Sequence, residues 1–164
     1  MSASSLADIN CAIAKTLGVI GEWWSLTILR NIFTGMVAFA ELEKHLGLSI
    51  GVLSARLKTL TEAKVLTRQR AKDDAQSFEY HLTERGYDLY PILVALTDWG
   101  EKWMPNTRGI RVKLVEKRTG EMIQGAVVLS DDGSPLKPWD VDAIAGPGAD
   151  EKINHLLGKK AERV

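Results

Sequence analysis

The segment from Phe39 to Lys64 constrains this chain more than any other. Phe39, Leu42 and Leu46 recur at helical spacing and stop at Gly47; Ser49 then opens a second pattern in which Leu53, Leu57 and Leu60 form one stripe. Ser49 suits an N-cap, because its hydroxyl can accept a hydrogen bond from an otherwise unsatisfied N–H of the first turn. Gly51, Ser54, Ala55 and Lys58 fall away from the leucine stripe. The second helix therefore has one greasy face and another that is small, polar and basic. Two short helices around a glycine-containing turn form a helix-turn-helix, whose second helix has a profile suited to a DNA major groove.

The flanking segments extend this pattern into an α+β fold. Upstream, Ala7 to Leu17 reads as a helix capped by Asp8 and stopped by Gly18, and Glu22 to Phe33 as another, with Trp24, Ile28 and Ile32 on one side. Downstream, Val65 to Ala71 and Ser77 to Leu82 alternate like strands across the polar turn from Lys72 to Gln76, a β-hairpin wing. Thr83 is placed to cap a long helix running to Trp103, with a kink at Pro91. The apolar residues of that helix cover more of its circumference than one buried face requires. With the N-terminal helix it reads as a two-fold dimer interface, the alternative being an ordinary buried helix of a monomer. After Pro105, short apolar runs around Gly120 and Gly133 predict a small antiparallel β unit, followed by irregular chain and a short helix from Glu151 to Leu157. The expected organisation is a winged-helix and dimerisation domain over residues 1–104 and a small β-rich extension over 105–164.

Net charge is zero over the 164 residues, but its distribution is uneven. Between Arg56 and Lys72 stand six basic residues and one acid, a local balance of 6 − 1 = +5. A solvated basic face explains such a run as well as a nucleic-acid site does, so the elements that carry it decide. No stretch of eighteen apolar residues occurs, and Met1 to Asn10 holds no basic residue or long apolar run. Neither a membrane span nor a secretory signal is expected, and the expected compartment is the cytoplasm. The single cysteine, Cys11, excludes an internal disulfide. His45, His81 and His155 lie in unrelated elements without a catalytic motif, and the Gly-Pro-Gly at 146–148 lacks the strand-turn-helix setting of a nucleotide site. No enzyme, cofactor or metal is expected; a protein-interaction module on the same scaffold is the competing reading.

Several blocks resemble the HxlR family of bacterial regulators. Cys11-Ala-Ile-Ala-Lys-Thr-Leu-Gly-Val-Ile-Gly-Glu-Trp-Trp-Ser-Leu-Thr-Ile-Leu-Arg30 is similar to its opening signature. Phe39-Ala-Glu-Leu42, Leu53-Ser-Ala-Arg-Leu-Lys-Thr-Leu60, Glu79-Tyr-His-Leu-Thr83 and Asp98-Trp-Gly100 match later blocks in order, so that the likeness covers about residues 8–104. It implies a homodimeric winged helix that binds a double-stranded DNA operator, often in response to a redox signal or a small electrophile. Ala12 departs from the pattern where a proline is usual, Trp23 stands for a commonly basic residue, and the approach Gln76-Ser77-Phe78 lacks the usual proline and arginine. Some members carry a C-terminal ribbon with cysteines before its glycine turns; Thr119 and Asp132 occupy those positions here, so a ribbon without metal is expected.

On this reading Ser49, Gly51, Ser54, Ala55 and Lys58 lie near bases or adjacent phosphates, and Arg56 lies on a phosphate or in a structural ion pair. Arg68, Arg70 and Lys72 lie on the DNA backbone beside the wing. With few long polar groups on the helix, DNA shape supplies much of the specificity. Cys11 is either a redox sensor or a small buried hydrophobe. Trp23, Trp24, Tyr87, Tyr90, Trp99 and Trp103 line an effector pocket or the dimer interface, or pack in the core.

Overall fold

The computed structural model describes residues 9–72, 74 and 76–161. The chain divides after Arg111 into two compact units. The first contains α1 (Ala12–Ile20), α2 (Ser25–Phe33), α3 (Phe39–Leu46), α4 (Ile50–Glu62), β1 (Leu66–Arg70), β2 (Phe78–Leu82), α5 (Glu84–Tyr87) and α6 (Tyr90–Trp103). β1 and β2 pair antiparallel, Leu66 opposite Leu82 and Arg70 opposite Phe78. The Tyr80 N–H donates to the Val37 carbonyl at 2.9 Å, and Ala38 bridges to Glu79, so the chain entering α3 covers the outer edge of β2. This is a winged helix.

Its core is built from the residues that share a helical phase. Leu53, Leu57 and Leu60 of α4 are fully buried against Ile28 and Leu29 of α2, Leu42 of α3, and Val65, Leu66 and Tyr80. Each such aliphatic side chain stabilises the fold by about 1.5–3 kcal/mol when removed from water. The end of α4 is closed by a Schellman motif, in which Val65 N–H donates to the Leu60 carbonyl at 2.9 Å and Lys64 N–H to Thr61 at 2.9 Å. That geometry puts Lys64 in the left-handed region at φ 58°, a position usually given to glycine. Burial of Leu60 and Val65 on either side supplies the accompanying hydrophobic contact.

Three expectations require correction. The first helix begins at Ala12, after Cys11 as an extended N-cap, and runs through Gly18 to Ile20. The expected cap Asp8 lies outside the described residues. An interior glycine costs a helix up to about 1 kcal/mol, and burial of Ile20 in the core outweighs it. The second helix starts at Ser25, because Trp24 takes φ 77° and its carbonyl accepts from Ile28 N–H at 2.8 Å. The long final helix is two helices. Thr83 does cap, but only the short α5; α6 then starts afresh with Pro91 in its first turn. Proline needs no N–H partner there, so the predicted kink becomes a helix start.

Among the described residues of the second unit antiparallel pairing is confined to isolated bridges, Val115 with Met122 and Leu129 with Pro135. Gly120 and Gly133, at φ 73° and 84°, form the turns between them. Thr119 Oγ1 accepts from Glu121 N–H at 3.2 Å, and Asp132 accepts from Ser134 N–H at 2.9 Å, so the residues before the glycines serve as turn-closing acceptors. Among the described residues no group of three or more His, Cys, Asp or Glu is placed to hold a metal ion. A short 3₁₀ turn (Pro138–Asp140) and a helix, α7 (Glu151–Ala161), longer than the sequence pattern predicts, complete the unit. No helix among the described residues is long and apolar enough to cross a membrane.

Candidate nucleic-acid interface

The helix-turn-helix proper is α3, the Gly47 turn and α4. Gly47 adopts φ 63°, which lets the chain reverse between the helices without a Cβ clash. Ser49 caps α4 as its side chain predicts, accepting from Val52 N–H at 3.4 Å, a long bond. With its leucines turned inward, α4 leaves Ser49, Gly51, Ser54, Ala55 and Lys58 exposed along its outer side. Of the six residues singled out on this segment from the sequence, these five are exposed and Arg56 is half-buried.

The basic residues fall into three situations. Arg56 is half-buried and forms an ion pair with Glu22 at 3.3 Å, so of its two expected roles the ion pair is the one formed in the unbound chain. Lys58, three-quarters exposed, reaches Glu62 one turn on at 3.8 Å; so exposed a pair contributes at most a few tenths of a kcal/mol and leaves the ammonium available. Arg68 and Arg70 project from β1 on the sheet face that carries Phe78. Their guanidinium carbons lie 3.4 and 5.2 Å from the Phe78 ring centroid. Stacking on the ring restrains both guanidinium groups on that face of the wing. Lys72 is exposed where β1 enters the turn.

The wing turn is held by Asp74. Its carboxylate accepts from Gln76 N–H at 2.9 Å and from the Ser77 hydroxyl, while its carbonyl accepts from Ser77 N–H at 3.0 Å. The Ser77 hydroxyl bond, followed by the Gln76 amide, holds the Asp74 carboxyl below the ordinary carboxylate value. At the other end of the hairpin, Thr83 Oγ1 donates to the Lys64 carbonyl at 2.6 Å and accepts from Gly86 N–H at 3.1 Å. One hydroxyl thus ties the end of α4 to the return from the wing. Gly86 is buried there, and a Cβ would collide with the Val65 carbonyl, so the position needs glycine.

Two kinds of residue escaped sequence reasoning. Ile50 and Val52 are 62% and 40% exposed on the first turn of α4, although both are large apolar residues. Their signal was phase: Val52 sits 100° from Leu53 on the helical wheel, off the buried stripe. Phe78 was assigned to an alternating strand, but its pairing with two arginines depends on cross-strand register, which one strand's sequence does not specify.

The six aromatics do not pack in the core of the single chain. Trp23, Tyr87, Trp99 and Trp103 are 58–84% exposed, and Trp24 and Tyr90 about 40%. Phe33 makes ring contacts with Tyr87 and Tyr90 at 5.9 and 5.1 Å. An open groove of about 680 Å³ lined by Thr34, Met36, Glu41 and His45 involves none of the six, nor does a smaller one of about 170 Å³ beside Lys15 and Arg85. Cys11 is half-buried, with a free thiol.

The family model for HxlR-like helix-turn-helix proteins matches residues 19–108, which include every element just described from α2 to α6. The chain belongs to this family. An uncharacterised HTH-type transcriptional regulator of Mycobacterium tuberculosis, Rv3095, is 32% identical over 142 residues, 87% of this chain and 90% of that protein. The solved structure of PA1607, a candidate transcription factor, is 37% identical and superposes with a TM-score of 0.80 over 87% of this chain and 99% of that one. That match extends beyond the winged helix. The redox regulator HypR in its oxidised form is 28% identical, with a TM-score of 0.51 over 56% of this chain and 96% of its own. The chain is therefore a helix-turn-helix transcriptional regulator of the HxlR type.

Proposed function

We propose that this HxlR-type regulator binds double-stranded DNA as a homodimer, recognises an inverted-repeat operator, and represses transcription from it by occupancy, without catalysing a reaction. The observation that carries this reading is the exposed side of α4, with Lys58 on the same helix and Arg68, Arg70 and Lys72 on the neighbouring wing. Ser49, Gly51, Ser54 and Ala55 face the bases or the phosphates beside them, and the basic residues neutralise the DNA backbone. The exposed aromatics of α5 and α6 support the dimer, since one chain leaves them in water. If the two copies of α4 are held about 34 Å apart, the half-sites lie one helical turn apart. On this reading it acts in the cytoplasm.

The test is selection of bound genomic fragments by the purified protein in moderate salt, with and without peroxide. An enriched inverted repeat supports the reading; salt-sensitive but sequence-blind binding favours the protein-interaction module instead. Lys58→Ala or Arg70→Ala should weaken binding to all sequences and reduce the salt slope by about one. Unchanged affinity at low salt would count against the assignment.

Redox control through Cys11 is a second reading, favoured by its half-buried thiol at the start of α1 and by the likeness to HypR. Two such thiols, one from each copy, would lose two protons and two electrons to peroxide, forming one disulfide and two waters, and so change the spacing of the recognition helices. Unaltered Cys11 by mass spectrometry after mild peroxide, with unaltered DNA binding, retires this reading.

A further inference from the structure

The DNA-binding reading leaves open what α4 reads. Resting on it, we propose that α4 recognises thymine through its 5-methyl group, with Val52 as the contacting side chain and Ala55 beside it. Strong base readout in the major groove uses forked donors and acceptors, arginine on guanine or asparagine and glutamine on adenine. The first two turns of α4, Ile50 to Arg56, contain no such group except Arg56, and Glu22 holds Arg56 at 3.3 Å. The exposed side offers methyl groups instead. Val52 is 40% exposed and Ala55 exposed, and three residues apart on a helix they are surface neighbours. One turn further, Thr59 donates its hydroxyl proton to the Ala55 carbonyl at 3.1 Å.

Gly51 provides independent support. It is the second residue of α4, and a Cβ built on it meets nothing within 4 Å. The fold does not require glycine at this position. The open backbone at Gly51 permits the close approach that side chains as short as Val52 and Ala55 need to reach a base edge. The thymine methyl is the apolar group that the major groove presents, and Lys58 with the wing cations supplies attraction for the phosphates around it.

The experiment starts from the selected operator and replaces each thymine of a half-site, one at a time, by deoxyuridine, which removes the methyl and leaves base pairing intact. Affinities are measured for the wild-type protein and for Val52→Ala, an exposed substitution. We expect uracil at one or two positions per half-site to weaken wild-type binding about fourfold per methyl, and Val52→Ala to abolish that difference. Equal affinity for every thymine and uracil probe, with sequence-specific binding retained, overturns methyl readout while leaving the operator reading intact. A uracil penalty that persists undiminished in Val52→Ala overturns the assignment to Val52. Failure to select any sequence removes the DNA reading itself, and with it this inference.

Discussion

α4 and α6 are of similar length, 13 and 14 residues, and lie in the same compact unit, yet they are used in opposite ways. α4 turns three leucines into the core and presents small and basic residues outward. α6 buries only Val94 among its described residues and leaves Ile92, Leu96, Trp99 and Trp103 at 39–63% exposure. One helix is stabilised by its own chain and has an outer face suited to a polar, charged partner. The other carries apolar surface that its own chain does not cover, so a second protein surface is its natural complement. On the proposed reading, amphipathicity is divided between two jobs, with folding and recognition falling to α4 and assembly to α6.

The largest effect should come from the buried side of α4. Leu57→Ala removes a fully buried side chain and should lower unfolding stability by about 2–5 kcal/mol, read from denaturant melts. Trp99→Ala on α6 should leave the single chain's stability within about 0.5 kcal/mol but weaken self-association by about 2 kcal/mol, roughly thirtyfold, in sedimentation equilibrium. If Trp99→Ala instead unfolds the chain with no change in association, the contrast between the helices collapses.

Thr83 tests the joint between them. Thr83→Ala deletes the cap of α5 and the bond to the Lys64 carbonyl, and should cost about 1–2 kcal/mol of stability; Thr83→Ser, which keeps the hydroxyl, should recover most of it. A smaller effect is expected at Phe78. Phe78→Leu removes the ring on which Arg68 and Arg70 stack and should weaken DNA binding by about 0.5–1 kcal/mol with the fold retained, a two- to fivefold loss in a filter-binding titration. Phe78→Tyr should behave like wild type.

The smallest effect is acid sensitivity of two turns, one in each unit. The Ser130 hydroxyl and the Ser134 amide lower the Asp132 carboxyl to about 2, and Ser77 and Gln76 lower Asp74. Because both folded values lie below the ordinary 3.8, the stabilisation is fully present above that pH and is lost as pH falls through the folded value. For Asp132 the window is from 3.8 to about 2. The Ser134 amide resonance should shift in this range and that of Gln76 below pH 3.8, and Asp132→Asn and Asp74→Asn should remove the respective titrations.

Much of the winged helix was legible as a string. The bounds of α3, the Ser49 cap and the buried trio Leu53, Leu57 and Leu60 agree with the structure, because helical phase and capping chemistry are local and repeat every few residues. The hairpin was equally readable from its alternation around a polar turn. Of the helix starts that differed, those at Ser25 and Tyr90 turned on backbone choices, Trp24 in the left-handed region and Pro91 in a first turn instead of an interior one.

Chain order alone specified the helix-turn-helix, its polar outer side and the basic run that follows, since each depends on residues a few positions apart. Tertiary structure decided what each cation is placed against. Arg56 is drawn to Glu22, thirty-four positions earlier, while Arg68 and Arg70 are gathered on Phe78 across the hairpin. Such pairings are set by the packing of separate elements, and the energy of a charge depends on what that packing places within a few ångströms of it.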